Sequence, residues 1–298
     1  MDSFSTNLNC YRPSGAFPPA GIAAFFVGAA AGVLLAPVYA FANYHIPLVY
    51  LNVLLLWGFG LLLGWIVSWG VRKFHVRNPL AAAVMGVAVF AAAYSVHWFF
   101  YLATVLVDGM TDSPYDVEAI ADFALALMKD PAEAWELLWA LNEEGVWSLS
   151  GSSSSSNLAV KGLELAAIWL GEALVLLFLA VKKPWEEAGK PYSERLDAWM
   201  EAKDLPVSVA FVENREEFGR AVGRGDYSAL TTPLPPSEEV KYAKVRLYSD
   251  ALDPCVSVEN VSVTKKKKKE TVSKKEVVRY LKISPTAASD ISRALAGD

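Results

Sequence analysis

Four polar residues that can carry protons or bind a cation lie inside apolar stretches of this sequence, namely Glu172, Glu164, His97 and Tyr94. An ionisable side chain in hydrocarbon costs about 2.5–3.5 kcal/mol on insertion scales, so it must be protonated, paired or facing water. Glu172 is expected to lie buried between helices, with His97 as its partner and Tyr94 as a second donor. Such an acid–imidazole pair is a structural hydrogen bond between helices or part of a proton or ion pathway, and the third alternative is that Glu172 faces a partner protein. Glu164 lies nearer the outer face, where Lys161 can pair with it.

Four apolar stretches must position these side chains, and each reaches the roughly 20 residues that a membrane-crossing helix needs. The composition agrees, since 54% of the 298 residues are hydrophobic and 20% are charged. Unpaired backbone groups are costly in lipid, so each crossing must be a helix. The expected spans are residues 21–42, 49–71, 79–107 and 162–181. The predicted fold class is therefore membrane all-α, a four-span transmembrane helical bundle at 21–181 plus a small cytoplasmic α+β domain at 206–298.

The charges that flank these stretches predict the orientation of the chain, because Lys and Arg collect on the cytoplasmic side of a membrane. Ten acids and one lysine lie in residues 108–157, which are predicted to form an extracytoplasmic helical loop. The cytoplasmic connections are expected to be those that contain Arg72, Lys73 and Arg77, and then Lys182 and Lys183. An even number of spans then places both termini, including segment 1–20, in the cytoplasm. The chain is expected in the inner cell membrane as a multi-pass protein.

The first stretch has an alternative interpretation as a cleaved signal peptide, with Val38, Tyr39 and Ala40 as the small-residue cleavage site. Arg12 is the only cation that precedes it, and the stretch is long for a signal peptide. An intact first span is the favoured interpretation.

Glycines spaced four residues apart predict how the first two spans pack. Gly28 and Gly32 share a face of the first span, and Gly60 and Gly64 share a face of the second. Such a face lets two backbones approach closely. Because a short connection joins the two spans, we expect them to form an antiparallel hairpin within the chain. Homodimerisation through the same faces is the alternative.

The rest of the chain is soluble in character. Residues 182–205 are charged and helix-prone, and are predicted to form a helical linker. Alternating apolar residues within 206–298 predict strands at 207–212, 241–248 and 255–263. Ser273 and Glu276 form a capping box, which predicts a helix that begins there and runs through Leu281. Helical spacing also predicts helices at 213–222 and 285–296.

A run of lysines follows the last predicted strand and is expected to lie in an exposed loop or hairpin tip. The run consists of Lys265, Lys266, Lys267, Lys268 and Lys269. A cytoplasmic polybasic cluster can contact anionic lipid at about 1 kcal/mol per lysine. The alternative is that the lysines only solubilise the tip.

Residues 276–295 resemble a helix-turn-helix DNA-binding unit, in which a tight turn joins two helices. The resemblance covers only this short run. It departs at Lys282, where that motif usually has glycine, and at Asp290, an acid on the helix that would read DNA. A membrane-tethered nucleic-acid-binding regulator is therefore an alternative function, although nucleic acid is not the favoured partner.

The sequence contains no catalytic or metal-binding constellation. His45, His75 and His97 lie on different elements or sides, and no phosphate-binding glycine loop or nucleophile motif is present. Cys10 and Cys255 are expected to be reduced thiols without a disulfide. The sequence therefore predicts no enzymatic activity, no cofactor and no metal.

These features favour a membrane scaffold or regulatory coupling protein with a cytoplasmic interaction domain. Its expected partners are the lipid bilayer, anionic lipids, and an unidentified protein or further copies of the chain. The main alternative is a component of proton- or ion-linked transport that uses Glu172. Four spans are few for a carrier, so transport would require an oligomer.

Overall fold

The structure, a computed structural model, describes residues 8–46, 48–110, 115–145, 147–149, 158–234, 240–250, 252–266 and 269–296. The chain divides into two compact units. One unit is Gly15–Gly189, and the other combines Met1–Ser14 with Lys190–Asp298. We refer to them as the helical unit and the α+β unit.

Four helices among the described residues of the helical unit are long and apolar enough to cross a membrane, the same number as the predicted spans. They are α1 (Gly21–His45), α2 (Val49–Lys73), α3 (Pro79–Met110) and the later α6 (Leu163–Ala188). Each extends beyond its predicted span because its polar flanks continue the helix. The four are arranged as a ring, since α1 contacts α2 and α3, and α6 contacts the same two helices.

The helices approach one another most closely at glycines, and the helices that contact the two glycine faces are not all those predicted. A Cβ on Gly28 or Gly32 would lie 3.1 Å from Val89 or Ala93 of α3, and 3.2 or 3.3 Å from Val67 or Leu63 of α2. This face of α1 therefore packs against both α2 and α3. The Gly60 and Gly64 face of α2 contacts α6, not α1. A Cβ on Gly64 would overlap the backbone carbonyl oxygen of Leu179. Both motifs serve packing within the chain, and α1 and α2 are in contact as predicted. Of the two motifs, only the Gly28 and Gly32 face takes part in that contact.

Two further helices precede α6, as the spacing of their apolar residues predicts. They are α4 (Val117–Lys129) and α5 (Pro131–Glu144). The Asp116 side chain accepts a hydrogen bond from the Ala119 N–H, and that of Asp130 accepts from Ala132 and Glu133. A small antiparallel pair, β1 (Trp147–Leu149) and β2 (Leu158–Val160), follows and was not predicted. The serine-rich segment 152–156 lies outside the described residues.

The α+β unit contains an antiparallel sheet with helices against it, which confirms a separate α+β domain. The strands are β3 (Tyr192–Ser193), β4 (Ala198–Trp199), β5 (Glu201–Asp204), β6 (Val209–Ala210), β7 (Lys241–Ser249), β8 (Cys255–Lys266) and β9 (Lys269–Lys282). The main sheet has the order β5-β7-β8-β9, β6 pairs with β7, and β3 pairs only with β4. The helices are α7 (Arg215–Gly223), α8 (Ser228–Thr231) and α9 (Pro285–Ala294). Phe218 of α7 and Ile291 of α9 pack with the valines of β7, β8 and β9 in one core.

Two helix predictions in this unit are wrong. The linker predicted at 182–205 is not one helix, because α6 ends at Ala188 and β3, β4 and β5 follow. The capping-box helix from Ser273 to Leu281 is strand β9, paired with β8 along its length. Val272, Val277 and Val278 are β-branched and favour a strand, and pairing with β8 overrides the local capping pattern. The first helix of the helix-turn-helix resemblance therefore does not exist.

The N-terminal segment is part of the α+β unit and not a separate piece. The Tyr11 N–H donates to the Tyr280 carbonyl at 2.7 Å, and the Lys282 N–H donates to the Asn9 carbonyl at 2.9 Å. Cys10 forms a β-bridge with Leu281. Residues 9–11 thus extend the sheet beyond β9, so this folded unit begins before α1 and resumes after α6.

Candidate functional site

His97 and Tyr94 belong to a group of rings at the centre of the helical unit, which we call the aromatic cluster. The His97 ring lies 4.7 Å from Tyr39 of α1, and Tyr39 stacks on Phe59 of α2 at 4.5 Å. Trp98 of α3 contacts Trp169 of α6 at 4.9 Å. Contacts of this kind are worth about 0.5–1.5 kcal/mol each beyond their buried area. The cluster therefore connects all four long helices, and its members are Tyr39, Phe59, Tyr94, His97, Trp98, Tyr101 and Trp169.

His97 is held by ring packing and not by an acid. The side chain is 3% exposed, and no hydrogen bond joins it to Glu172. Within the described part of the chain its Nδ1 has no hydrogen-bond partner. The expected His97–Glu172 pair is thus absent, because α3 presents this imidazole to Tyr39 on α1.

Glu172 is half-buried on α6, close to tyrosine phenols. It interacts electrostatically with Tyr39, Tyr94 and Tyr101. The Tyr94 hydroxyl donates to the Trp169 carbonyl at 3.4 Å, one turn before Glu172, and not to the carboxyl itself. The structure thus places Tyr94 near Glu172 and stacks it on His97, without a hydrogen bond from either Tyr94 or His97 to the Glu172 carboxyl.

Glu164 does not share this environment. It is exposed in the first turn of α6, where a negative charge is favoured by the helix dipole. The structure shows no ion pair between Glu164 and Lys161, although both residues are described. Glu164 therefore does not belong with the cluster.

Tyr39 is the functional candidate that the sequence analysis missed. We considered it only as part of a possible cleavage site, yet it is 6% exposed and stacks between α2 and α3. A phenol in the middle of an apolar helix was the available signal, since Tyr usually places its hydroxyl near a polar partner when buried.

An ion pair between α2 and α6 was also missed. Arg72 Nη1 lies 3.0 Å from Glu187 Oε1, and Glu187 is only 9% exposed. A buried carboxylate requires such a partner, because an unpaired charge out of water costs several kcal/mol. Arg72, which we used only to orient the chain, therefore also joins two helix ends.

The lysine run lies where β8 and β9 meet. Lys266 pairs with Lys269 and Lys265 with Glu270 in the strand register, which places these three lysines at the end of the β8–β9 pairing. Lys267 and Lys268 lie outside the described residues. Contact with anionic lipid stays a prediction.

The two thiols occupy different sides of one sheet. Cys10 packs against the main core, whereas Cys255 packs with Tyr248 and Tyr280 in a second cluster. Both are free. Burial raises the pKa of Cys10 and raises that of Cys255 to about 12, so neither is a thiolate near pH 7.

Metal chemistry has no support among the residues that the structure describes, where no three His, Cys, Asp or Glu side chains form a group that could hold an ion. Comparison with protein-family models, curated proteins and solved structures finds no match. The functional argument therefore rests on the geometry of the chain itself.

Proposed function

We propose that this chain is a multi-pass protein of the inner membrane that acts as a scaffold or regulatory coupling protein through a cytoplasmic α+β unit. The observation that carries the proposal is the split origin of that unit. Residues 9–11 precede α1 and hydrogen-bond to β9, which follows α6. An intact bundle of four crossings permits this pairing because it returns the chain to the side on which it began. Cleavage after Ala40 would remove those residues together with most of α1.

The surface of the helical unit supports a lipid environment. Leu34, Leu54 and Leu170 are 75%, 66% and 61% exposed on three different helices. Proteins that face water rarely expose apolar surface of this extent. Arg72, Lys73 and Arg77 in one connection, and the acidic residues of α4 and α5 in another, favour the orientation with both termini inside.

The orientation can be tested by cysteine labelling in intact cells. We expect Glu143→Cys, on α5, to react with a membrane-impermeant maleimide before permeabilisation, and Glu217→Cys, on α7, to react only afterwards. Both positions are exposed. The parent protein serves as the blank, since Cys255 is fully buried and Cys10 partly buried. Labelling of Glu217→Cys in intact cells would contradict the proposal.

The coupling role predicts a partner that depends on the α+β unit. A protein that co-purifies with the full chain in mild detergent is expected to be lost when residues 190–298 are removed. It is expected to stay with the Glu172→Gln variant, because that change lies in the helical unit. Retention by the truncated chain would place the partner on the bundle and contradict the coupling role.

Proton- or ion-linked transport is the second candidate, and one observation favours it. Glu172 lies half-buried near three phenols. One of them, Tyr94, stacks on His97, whose Nδ1 lacks a partner within the described residues. Groups of this kind can exchange protons inside a membrane.

The test for transport is the proton flux of the purified chain in vesicles. We expect Glu172→Gln to abolish any flux that the parent carries, because the amide cannot take up and release the proton. Glu164→Gln is the matched control, since Glu164 is exposed at the start of the same helix. Flux that survives Glu172→Gln, or no flux in the parent protein, would leave the scaffold as the function.

A further inference from the structure

A polar cleft of about 270 Å³ lies within the α+β unit and takes no part in the functions proposed above. Three segments line it. The first is the N-terminal segment with Arg12, the second is the β3–β4 hairpin with Arg195, and the third is the β7–β8 loop with Asp253. Lys282 at the end of β9 completes the lining.

The walls of this cleft are fixed by hydrogen bonds that do not involve the side chains of Arg12, Arg195 or Lys282. The Tyr11 N–H donates to Tyr280 and holds the N-terminal wall against β9. In the hairpin wall, the buried Tyr192 donates its hydroxyl to Asp197, and Ser193 Oγ accepts from the Leu196 N–H. The cleft is therefore built before any ligand arrives, which lowers the entropy cost of binding.

The hairpin and loop walls are also joined to each other. Burial alone would raise the pKa of Asp250, but a hydrogen bond with Ser193, two loop N–H groups and the nearby charge of Arg195 hold that pKa below its usual value. Asp250 is thus ionised near pH 7, and its carboxylate is used in contacts within the protein.

The three cations of the cleft, by contrast, form no ion pairs within the described ranges. These cations are Arg12, Arg195 and Lys282, whereas Arg246 and Arg72 on other surfaces are each paired. Cations that line one cleft from separate walls, and that form no ion pair in the described ranges, are suited to bind a phosphate or carboxylate.

The acids of the cleft restrict the ligand further. Asp250, Asp253 and Glu194 contribute three negative charges beside the three positive ones. A ligand with only negative charge would be repelled by these acids, and one with only positive charge by the arginines. A net-neutral ligand with separated charges matches both, and the volume, just under the range of about 300–1,000 Å³ for ligand sites, limits it to a small molecule or headgroup.

We propose that this cleft binds a small zwitterion that carries a primary ammonium and a phosphate or carboxylate. Arg12, Arg195 and Lys282 contact the anion, and Asp253 contacts the ammonium. The source is either a soluble compound or the headgroup of an aminophospholipid. Both arginines lie in segments adjoining long helices in sequence, since Arg12 precedes α1 and Arg195 follows α6 by a few residues. The inference requires neither a protein partner nor the proposed orientation, so it can fail or succeed independently of them.

The first test is calorimetric titration of the purified full chain in detergent with phosphoethanolamine. We expect saturable binding, with inorganic phosphate and ethanolamine each at least about tenfold weaker, because each lacks one of the two charges. Arg195→Gln and Arg12→Gln are expected to weaken phosphoethanolamine binding by a similar factor. Asp253→Asn should weaken phosphoethanolamine but not phosphate. Lys203→Gln is the control, since Lys203 is an exposed cation on β5 outside the cleft.

The second test uses nanodiscs of phosphatidylcholine with or without phosphatidylethanolamine. A rise in the melting temperature of the parent that requires phosphatidylethanolamine, and that Arg195→Gln removes, would assign the ligand to the lipid headgroup. Binding of the soluble probe without this rise would assign a soluble zwitterion. Phosphate that binds as tightly as phosphoethanolamine, or the lack of an Arg195-dependent effect in both tests, would overturn the proposal. Unchanged circular dichroism of each variant excludes misfolding as the cause of a loss.

Discussion

Gly64→Ala is expected to destabilise the helical unit by about 1–3 kcal/mol, the usual cost of overpacking a close contact. The added Cβ would overlap the carbonyl oxygen of Leu179, which is backbone and cannot rotate away. The only relief is to move α6 from α2. A variant at Gly86 should behave in the same way, because a Cβ there would lie 2.5 Å from the Ala180 carbonyl oxygen. The measurement is the thermal unfolding midpoint in detergent, followed by tryptophan fluorescence.

Gly58→Ala is the matched control for this prediction. Gly58 lies on the same helix as Gly64, and a Cβ at that position would meet nothing within 4 Å. The substitution should therefore be neutral, or stabilising by up to about 1 kcal/mol through helix propensity. Equal midpoints for Gly64→Ala and Gly58→Ala would show that α2 and α6 do not cross as closely as described.

Asn260→Ala is expected to be among the most damaging single changes in the α+β unit. The Asn260 side chain is buried at 5% exposure. Its Nδ2 donates to the Val212 carbonyl at 2.8 Å, and its Oδ1 accepts from the Val212 N–H at 3.0 Å. Alanine would leave both backbone groups without this partner, and each unsatisfied buried group costs about 1–3 kcal/mol. The expected loss of unfolding free energy is therefore roughly 2–5 kcal/mol.

Urea titration of the full chain, with proteolysis of the α+β unit as the readout, measures this loss. The control is Glu259→Ala, one residue earlier on β8. Glu259 reaches only an exposed Lys274 at 3.7 Å, and a surface pair of this kind contributes at most about 1 kcal/mol. An Asn260→Ala midpoint equal to that of Glu259→Ala would mean that water replaces both bonds, and that Asn260 does not hold the Val212 loop to the sheet.

These two sites also separate the two units experimentally. Gly64 acts on the contact between α2 and α6, whereas Asn260 acts on the sheet that would display the interaction surface. A partner lost only with Asn260→Ala would support coupling through the α+β unit. Ion flux lost only with Gly64→Ala would instead support a role for the bundle that includes Glu172.

The sequence by itself determined the features that depend only on residues close together along the chain. Long apolar runs predicted four membrane-length helices, because the length and apolar character of a run can be read without knowing its distant partners. The helical loop at 108–157 was also predictable, since Asp116 and Asp130 cap α4 and α5 and a cap bonds to the next turn of its own helix. Alternation of apolar residues predicted three strands of the α+β unit, β6, β7 and β8, for the same local reason.

Only the tertiary structure decided which elements meet. A glycine face is equally suited to any helix, so Gly60 and Gly64 could not reveal that their partner is α6. The local pattern of Ser273 and Glu276 suits a helix. These residues instead form strand β9, because they pair with β8, whose residues precede them in the sequence by a long hairpin. The same is true of residues 9–11, which join the sheet from the other end of the chain, and of Tyr39, whose partners come from α2 and α3. Contacts between distant residues depend on three-dimensional packing, which the pattern of neighbouring residues does not encode.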